Sequence, residues 1–483
     1  MRILFTHSYF LRYDPKQWGL MQPYAPLGTI YAAALLRENG HEVQLHDVMF
    51  AHGPDDISPV LQSFKPDILV IYDDGFNYLT KMCLTNMREA AFKMADMAHD
   101  FGCTVITSSS DSTDHFQQYL DNGSDYIIIG EAEQTLLELV TALADKEDIQ
   151  NTIPGLAYKL PDGSVCKTAG RPVMTNLDSL PFPAWDLVDV NAYKQAWLKS
   201  TGYFSINMGT TRGCPFKCNW CAKPIYGTRY NARSPENVVT ELKQLHAKYG
   251  FDHIWFCDDI FGLKPGWVAR YAELMKEAGL KIHFKIQSRA DLLLKDEQIA
   301  PLAAAGCEVV WMGAESGSQR ILDAMDKGTT VEQIAEATTL LKQYGIRPAF
   351  FLQFGYLGET IDDIKKTLKM LENLVPSEIG ISVSYPLPGT KFYEKVQEQL
   401  SGKANWTDSD ELALMFKNTY EPDFYKQLHR YVHAHFRRLR ARKNIEQEKA
   451  GLKKLIHLFK LPYYDWQANK ESVKLNKIQV LHG

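Results

Sequence analysis

The strongest constraint on this chain is a pattern that occurs twice. Short β-branched runs alternate with helical stretches, and a segment of different character separates the two series. In the first series the strands are predicted at residues 2–7, 42–47, 67–72, 104–107 and 125–129, with helices such as 28–39 and 84–101 between them. Parallel strands need a crossover of helical length, so this alternation implies parallel βαβ units and an open doubly wound sheet over residues 1–145. Such sheets bind ligands outside the carboxyl ends of their strands. Those ends carry Tyr72-Asp73-Asp74-Gly75, Ser108-Ser109-Ser110-Asp111 and Gly130-Glu131-Ala132-Glu133.

Residues 146–198 read as a linker with a small hairpin. Asp162-Gly163 is a turn signal, and Leu180-Pro181-Phe182-Pro183-Ala184-Trp185 is an extended, proline-rich connector. From 199 the alternation resumes, with strands predicted at 204–208, 253–256, 281–286, 308–312, 347–354 and 378–383 and long helices such as 235–249 and 330–344. Six βα units predict a partial, TIM-like barrel over 199–400, with its reactive residues at the strand carboxyl ends. Residues 401–483 read as a helical, basic cap. The stretch 424–460 holds eleven Lys/Arg against two Glu. The fold class is therefore α/β: a Rossmann-like doubly wound domain, a partial (β/α)6 barrel and a helical C-terminal region.

Composition narrows the function classes. With 45% hydrophobic and 23% charged residues, the chain is neither a disordered polymer nor a fibre. A net charge of −5 does not suggest a nucleic-acid binder. No run approaches the ~18 apolar residues of a spanning helix, and Met1-Arg2-Ile3-Leu4-Phe5 reads as a first strand, so a cytoplasmic location is expected. Eight cysteines are too few for a disulfide scaffold. Cys83, Cys103, Cys166, Cys257 and Cys307 are scattered, whereas Cys214, Cys218 and Cys221 fall within one short stretch.

That stretch, Thr211-Arg212-Gly213-Cys214-Pro215-Phe216-Lys217-Cys218-Asn219-Trp220-Cys221, follows the first barrel strand. Three thiolates on one tight loop can hold three irons of a cubane cluster and leave the fourth iron open to a small-molecule ligand. The competing reading is a zinc knuckle, although zinc sites usually close four ligands from paired sets.

The CxxxCxxC spacing resembles the signature of the radical S-adenosylmethionine (SAM) superfamily, and the resemblance extends over roughly residues 195–400. It implies a [4Fe–4S] cluster on Cys214, Cys218 and Cys221. It also implies SAM-contacting groups at successive strand ends: Asp258 and Asp259 in Cys257-Asp258-Asp259-Ile260-Phe261, Ser288 and Arg289 in Gln287-Ser288-Arg289-Ala290-Asp291, and Glu315 in Gly313-Ala314-Glu315-Ser316-Gly317. Gly355-Tyr356-Leu357-Gly358-Glu359-Thr360 and Pro386-Leu387-Pro388-Gly389-Thr390 look like late-barrel loops of the same group. Each cluster also has a plainer reading. Asp258-Asp259 can cap a helix, Arg289 can serve a surface ion pair, and Glu315-Ser316 can open a helix. In the family, one electron cleaves SAM to a 5′-deoxyadenosyl radical that takes hydrogen from an unactivated carbon; the protein supplies positioning and exclusion of water.

A doubly wound domain directly before such a barrel resembles the cobalamin-binding subgroup, which includes carbon methylases and the anaerobic porphyrin ring cyclase. Under that resemblance Pro26, Leu27 and Gly28 of Gln22-Pro23-Tyr24-Ala25-Pro26-Leu27-Gly28-Thr29, with Tyr72, Asp73, Ser108, Ser109, Ser110, Gly130 and Glu131, are candidate cobalamin contacts. A Gly/Ser-rich edge suits close approach of a corrin. The DxHxxG motif that supplies a cobalt-ligating histidine in other cobalamin folds is absent. Asp47-Val48-Met49-Phe50-Ala51-His52-Gly53 has the residue types at the wrong spacing, so His52 reads as a loop histidine. The alternative for the whole domain is a flavodoxin-like module without cobalamin.

The resemblance thus implies a radical SAM enzyme that methylates an unactivated carbon, with SAM, cobalamin and a [4Fe–4S] cluster as cofactors. Alternatives are cyclisation, oxygenation or rearrangement on the same machinery, or a non-catalytic cobalamin- or SAM-binding protein. A methylthiolating tRNA enzyme would need further N-terminal cysteines for a second cluster. Expected partners are a small-molecule, lipid or tetrapyrrole-like substrate and an electron donor such as flavodoxin or ferredoxin, with no nucleic acid. In the basic tail, Lys426, Arg430, Arg437, Arg438, Arg440 and Arg442 have two readings: a solvated lid on the barrel mouth, or a peripheral contact with anionic lipid.

Overall fold

The first alternating series builds a seven-stranded sheet: β1 (Arg2–Thr6), β2 (Glu42–His46), β3 (Ile68–Tyr72), β4 (Thr104–Ser108), β5 (Tyr126–Ile128), β6 (Leu156–Lys159) and β7 (Val165–Lys167), in the order β2-β1-β3-β4-β5-β6-β7. The computed structural model describes residues 1–76, 79–147, 149, 152–295, 298–400, 405–447 and 451–482. β1 through β5 pair in parallel, and the order reverses between β1 and β3, the switch point at which doubly wound sheets take ligands. All five residues of β3 (Ile-Leu-Val-Ile-Tyr) are buried, as a central parallel strand requires. Period-2 alternation divides the core between the two faces. Ile3, Phe5 and Val70 pack on one side with Leu136 and Leu139; Leu4, Leu69 and Ile71 pack on the other with Met94 and Ala95.

The hairpin expected in the linker forms as β6–β7, and it joins this sheet: β6 pairs antiparallel to β5 through Tyr126–Tyr158 and its neighbours. The linker also holds a helix, Val190–Thr201. Asp189 accepts from Ala192 N at 3.2 Å at its start, and left-handed Gly202 ends it.

The second series opens with β8 (Ser205–Met208). Two short strands follow, β9 (Thr211–Arg212) and β10 (Asn231–Ala232), which pair antiparallel as a separate ribbon. Next come β11 (His253–Phe256), β12 (His283–Ser288), β13 (Cys307–Glu315), β14 (Arg347–Phe354) and β15 (Glu378–Val383). With β8 they form a six-stranded sheet whose strands lie side by side in sequence order. The pairings β8–β11, β13–β14 and β14–β15 are parallel. Sequential parallel strands with covering helices give the curl of a partial barrel. The helices begin where their chemistry says they should. Ser234 accepts from Asn237 N before Pro235–Tyr249, and Thr330 and Thr360 form capping boxes with Gln333 and Asp363. The C-terminal region is two long helices, Pro422–Gln447 and Leu452–His482, tied together by Gln427–Glu471 and Arg442–Asp465.

The chain divides into two compact units. One comprises residues 1–215, 223–284 and 405–411; the other comprises 216–222, 285–404 and 412–483.

Candidate functional site

The cysteine loop hangs from the β9–β10 ribbon, and its first turn admits only glycine. Gly213 has φ +78°, and a Cβ there would sit 1.9 Å from the Arg229 carbonyl oxygen. Cys214, buried just after it, donates its N–H to Gly227 O at 3.4 Å. Cys218 and Cys221 are partly exposed, and Cys221 N donates to Cys218 O at 3.3 Å. Between these two, Asn219 is locked from every side. Its amide Nδ2 donates to Ala324 O at 2.8 Å and Asp326 Oδ2 at 3.1 Å, its Oδ1 accepts from the Tyr356 hydroxyl at 2.8 Å, and its backbone pairs with Met325 and Phe392.

Arg289 follows β12. Its guanidinium stacks 3.8 Å from the Phe216 ring centroid, and Nη1 donates to Cys218 Sγ at 3.7 Å. Nη2 donates to Lys327 O at 2.7 Å and Nε to Asp291 at 2.9 Å. Among the described residues no three His, Cys, Asp or Glu side chains are gathered tightly enough for a single metal ion. A cubane takes one thiolate per iron, so three separate thiols on a loop held by Gly213 and Asn219, one of them facing a guanidinium, are a donor set that fits it.

Arg212, ahead of the first cysteine, is buried with two carboxylates. Nη2 donates to Glu133 Oε1 at 2.6 Å and Nη1 to Glu131 Oε1 at 2.5 Å, with Tyr226 beneath the guanidinium at 5.0 Å. Burial works against this charge, but Glu133, Tyr226 and Glu131 hold Arg212 protonated well beyond its ordinary range. Burial likewise pushes the Glu131 carboxyl up, with Arg212 opposing it.

The predicted SAM contacts stand at strand carboxyl ends. Asp258, after β11, is buried and accepts from Thr210 N, Thr210 Oγ1 and Thr211 N at 2.6–2.7 Å, so its carboxylate anchors the residues leading into the cysteine loop. Burial raises its pKa to about 6 against those hydrogen bonds. Asp259 is more exposed and pairs with Lys81 at 2.7 Å. Ser288 is buried as the last residue of β12. Glu315 closes β13 after a register shift and adopts a left-handed φ of +53°, a conformation that costs a non-glycine residue about 1 kcal/mol or more. Lys327 Nζ holds its carboxylate at 2.7 Å, with both groups buried.

At the edge of the first sheet, many polar groups are bonded to the protein itself. Asp73 accepts from Ser8 N at 2.7 Å and from Ser8 Oγ. Asp74 accepts from Leu27 N, Gly28 N and Phe76 N, and burial lifts it to about 6. Pro26 precedes the helix Leu27–Glu38, and Gly28 is small because a Cβ there would press on Asp74 and Tyr72 at 3.2–3.3 Å. The Tyr72 phenol is buried, which with Glu133 and Tyr226 raises its pKa well above the ordinary value. Ser108 ends β4, Ser109 forms a capping box with Ser112, and Ser110 lies buried beside it. Gly130 turns at φ +82°, and a Cβ added there would meet no atom closer than 3.8 Å. Gly130 has no side chain, and the open space beside it fits close approach of a bulky ring such as a corrin. His7, after β1, is held by Asp47 at 2.9 Å, and His52 is an exposed loop residue.

Three residues that position these groups carry no signal of that role in the sequence. Arg212 and Asn219 lie within the cysteine motif, where position alone does not show their partners. Lys327 follows the next helix, and no local pattern marks it as the counter-ion of Glu315.

The model of the radical SAM superfamily matches residues 208–371. An uncharacterized methyltransferase of Pyrococcus horikoshii is 30% identical over 396 residues, covering 79% of this chain and 80% of the relative. The anaerobic magnesium-protoporphyrin IX monomethyl ester cyclase of Rubrivivax gelatinosus is 26% identical, covering 83% of this chain and 71% of that one. The cobalamin-dependent SAM radical enzyme OxsB, solved with aqua-cobalamin and SAM bound, has the same fold. It aligns with a TM-score of 0.75 at 17% identity over 100% of this chain and 75% of that one. With its cysteine loop, its curled parallel sheet and the doubly wound domain ahead of it, the chain belongs to the radical SAM superfamily and shares its fold with the cobalamin-dependent member OxsB.

Proposed function

We propose that this protein is a cobalamin-dependent radical SAM methyltransferase acting on an unactivated carbon of an organic substrate. The observation that carries the reading is the pairing, in one chain, of a three-cysteine loop with a doubly wound domain whose strand order switches between β1 and β3. The methyltransferase relative at 30% identity supports methyl transfer as the outcome. When bound, the cluster and SAM supply the 5′-deoxyadenosyl radical, and cobalamin carries the methyl group.

In this reading Cys214, Cys218 and Cys221 hold the cluster, and Gly213 and Asn219 fix the loop that presents them. Ser288, Arg289 and Glu315, with Asp259, are the candidate SAM contacts. Lys327 holds Glu315 in its left-handed conformation, so the carboxylate is oriented before a ligand arrives. Asp258 acts one step back, fixing Thr210 and Thr211. Pro26, Leu27, Gly28, Tyr72, Asp73, Ser108, Ser109, Ser110, Gly130 and Glu131 border the candidate cobalamin edge. Asp73 and Glu131 shape it through Ser8 and Arg212. The substrate is a small molecule or a lipid- or tetrapyrrole-like compound, and the electron comes from a donor such as flavodoxin or ferredoxin.

The cyclase relative favours a second reading, ring closure on the same machinery. One experiment separates the two. The protein is purified and reconstituted without oxygen, then given methyl-labelled SAM and a reductant. Label on the bound corrin together with released 5′-deoxyadenosine supports methyl transfer. Release of 5′-deoxyadenosine with an equal amount of labelled methionine and no label on the corrin assigns the chain to the cyclase type.

A further inference from the structure

We propose that the last helix, Leu452–His482, docks the protein on an anionic lipid surface through an exposed aromatic face. One side of this helix is used internally: Ala468 and Leu475 are buried on it. The opposite side carries Leu455, Phe459, Tyr463, Trp466 and Val473, spaced three, four or seven apart so that they share one stripe. Phe459 is 82% exposed, and Tyr463 and Trp466 are each 56% exposed. Ile456 and Leu458 flank the stripe and are also exposed. A contiguous apolar face of this kind marks an interaction surface rather than scattered surface residues.

Charge selects the occupant. The helix carries six lysines against Asp465 and Glu471. Both acids are turned to the neighbouring helix, where Arg442 donates to Asp465 at 2.7 Å and Gln427 to Glu471 at 2.7 Å. The exposed face is left basic. Lys460 and Lys470 stand beside the aromatic stripe, and Lys470 Nζ lies 4.7 Å from the Trp466 ring centroid. Aromatic rings at headgroup depth with lysines reaching to phosphate are the chemistry of an interfacial helix. A second copy of the chain would bring lysines against lysines. No helix among the described residues is long and apolar enough to cross a membrane, so the contact is peripheral.

The test is flotation of the full-length protein with vesicles of phosphatidylcholine alone or mixed with phosphatidylglycerol. The wild type floats with the anionic vesicles, and added salt weakens the association. Joint substitution Phe459→Asp and Trp466→Asp lowers the bound fraction by about tenfold or more, with iron content and melting midpoint unchanged because both side chains are exposed. Lys460→Glu with Lys470→Glu gives an independent, charge-based loss that leaves the aromatic stripe intact. Three results overturn the proposal: no flotation with anionic vesicles, undiminished binding in both double variants, or a dimer in sedimentation equilibrium that the aspartate variant converts to monomer.

Discussion

Arg212 Nη2 and Glu133 Oε1 meet at 2.6 Å with both side chains buried, joining the strand that leads into the cysteine loop to the start of the helix Glu133–Asp145. Removing one partner leaves the other as an unpaired buried charge, which costs about 3–5 kcal/mol. Arg212→Met therefore lowers the melting temperature of the metal-free protein and its iron content after reconstitution. Glu133→Gln does the same less severely, because Glu131 remains at 2.5 Å. Equal stability of wild type and Arg212→Met would show that the ion pair does not hold the loop.

Asn219 gives a prediction about loading rather than global folding. Its side chain spends donor and acceptor on Ala324, Asp326 and Tyr356, so Asn219→Ala abandons three hydrogen bonds at about 1 kcal/mol each. Tyr356→Phe removes one of the three and is milder. Iron retained per chain after gel filtration falls in the order wild type, Tyr356→Phe, Asn219→Ala; retention unchanged in the alanine variant would contradict the role.

Arg289 donates to a cluster-loop sulfur, and hydrogen bonds to cluster sulfurs help set reduction potential. Arg289→Met withdraws both a donor and a positive charge from Cys218, which favours the oxidised cluster. A redox titration followed by electron paramagnetic resonance then shows a midpoint lower by tens of millivolts, with iron content maintained. A midpoint that does not move assigns Arg289 to SAM binding alone.

Glu359 makes stability fall between mildly acidic and mildly alkaline pH. It is fully buried, accepts from Gly355 N at 2.7 Å, and leaves Oε1 without a partner among the described residues. Burial pushes its pKa from an ordinary 4.5 to about 8, with Asp363 adding to the rise and Gly355 and Arg320 opposing it. Between those values the native state binds a proton that the unfolded chain has released, so this group's contribution is fully favourable below pH 4.5 and is lost as pH rises to 8. Glu359→Gln cannot ionise. Its melting temperature should match or trail the wild type at about pH 5 and exceed it near about pH 9, whereas parallel pH curves would refute the assignment.

Much of this was legible in the sequence because its signals are local. The strands His253–Phe256, Arg347–Phe354 and Glu378–Val383 and the helix Pro235–Tyr249 lie where β-branched runs and the Ser-Pro start put them. The pairing of β6 onto β5 was not legible. A hairpin signal fixes the turn but not the sheet it joins. The helix Val190–Thr201 was hidden in a stretch dominated by prolines upstream, although Asp189 and Gly202 bracket it as caps. Within the site, the spacing of the cysteines revealed the donor set. The partners that hold it, Arg289 on Phe216 and Cys218 and Lys327 on Glu315, depend on side chains brought together by the fold.

Whether one chain holds both cofactors is tested by a direct count. The protein is purified without oxygen, reconstituted with iron, sulfide and hydroxocobalamin, passed through a desalting column, and assayed for iron and corrin per chain. The wild type retains one cubane's worth of iron and one cobalamin, and Cys218→Ala loses the iron and keeps the corrin. A full iron complement with no retained corrin would contradict this, leaving a radical SAM enzyme whose doubly wound domain serves another purpose.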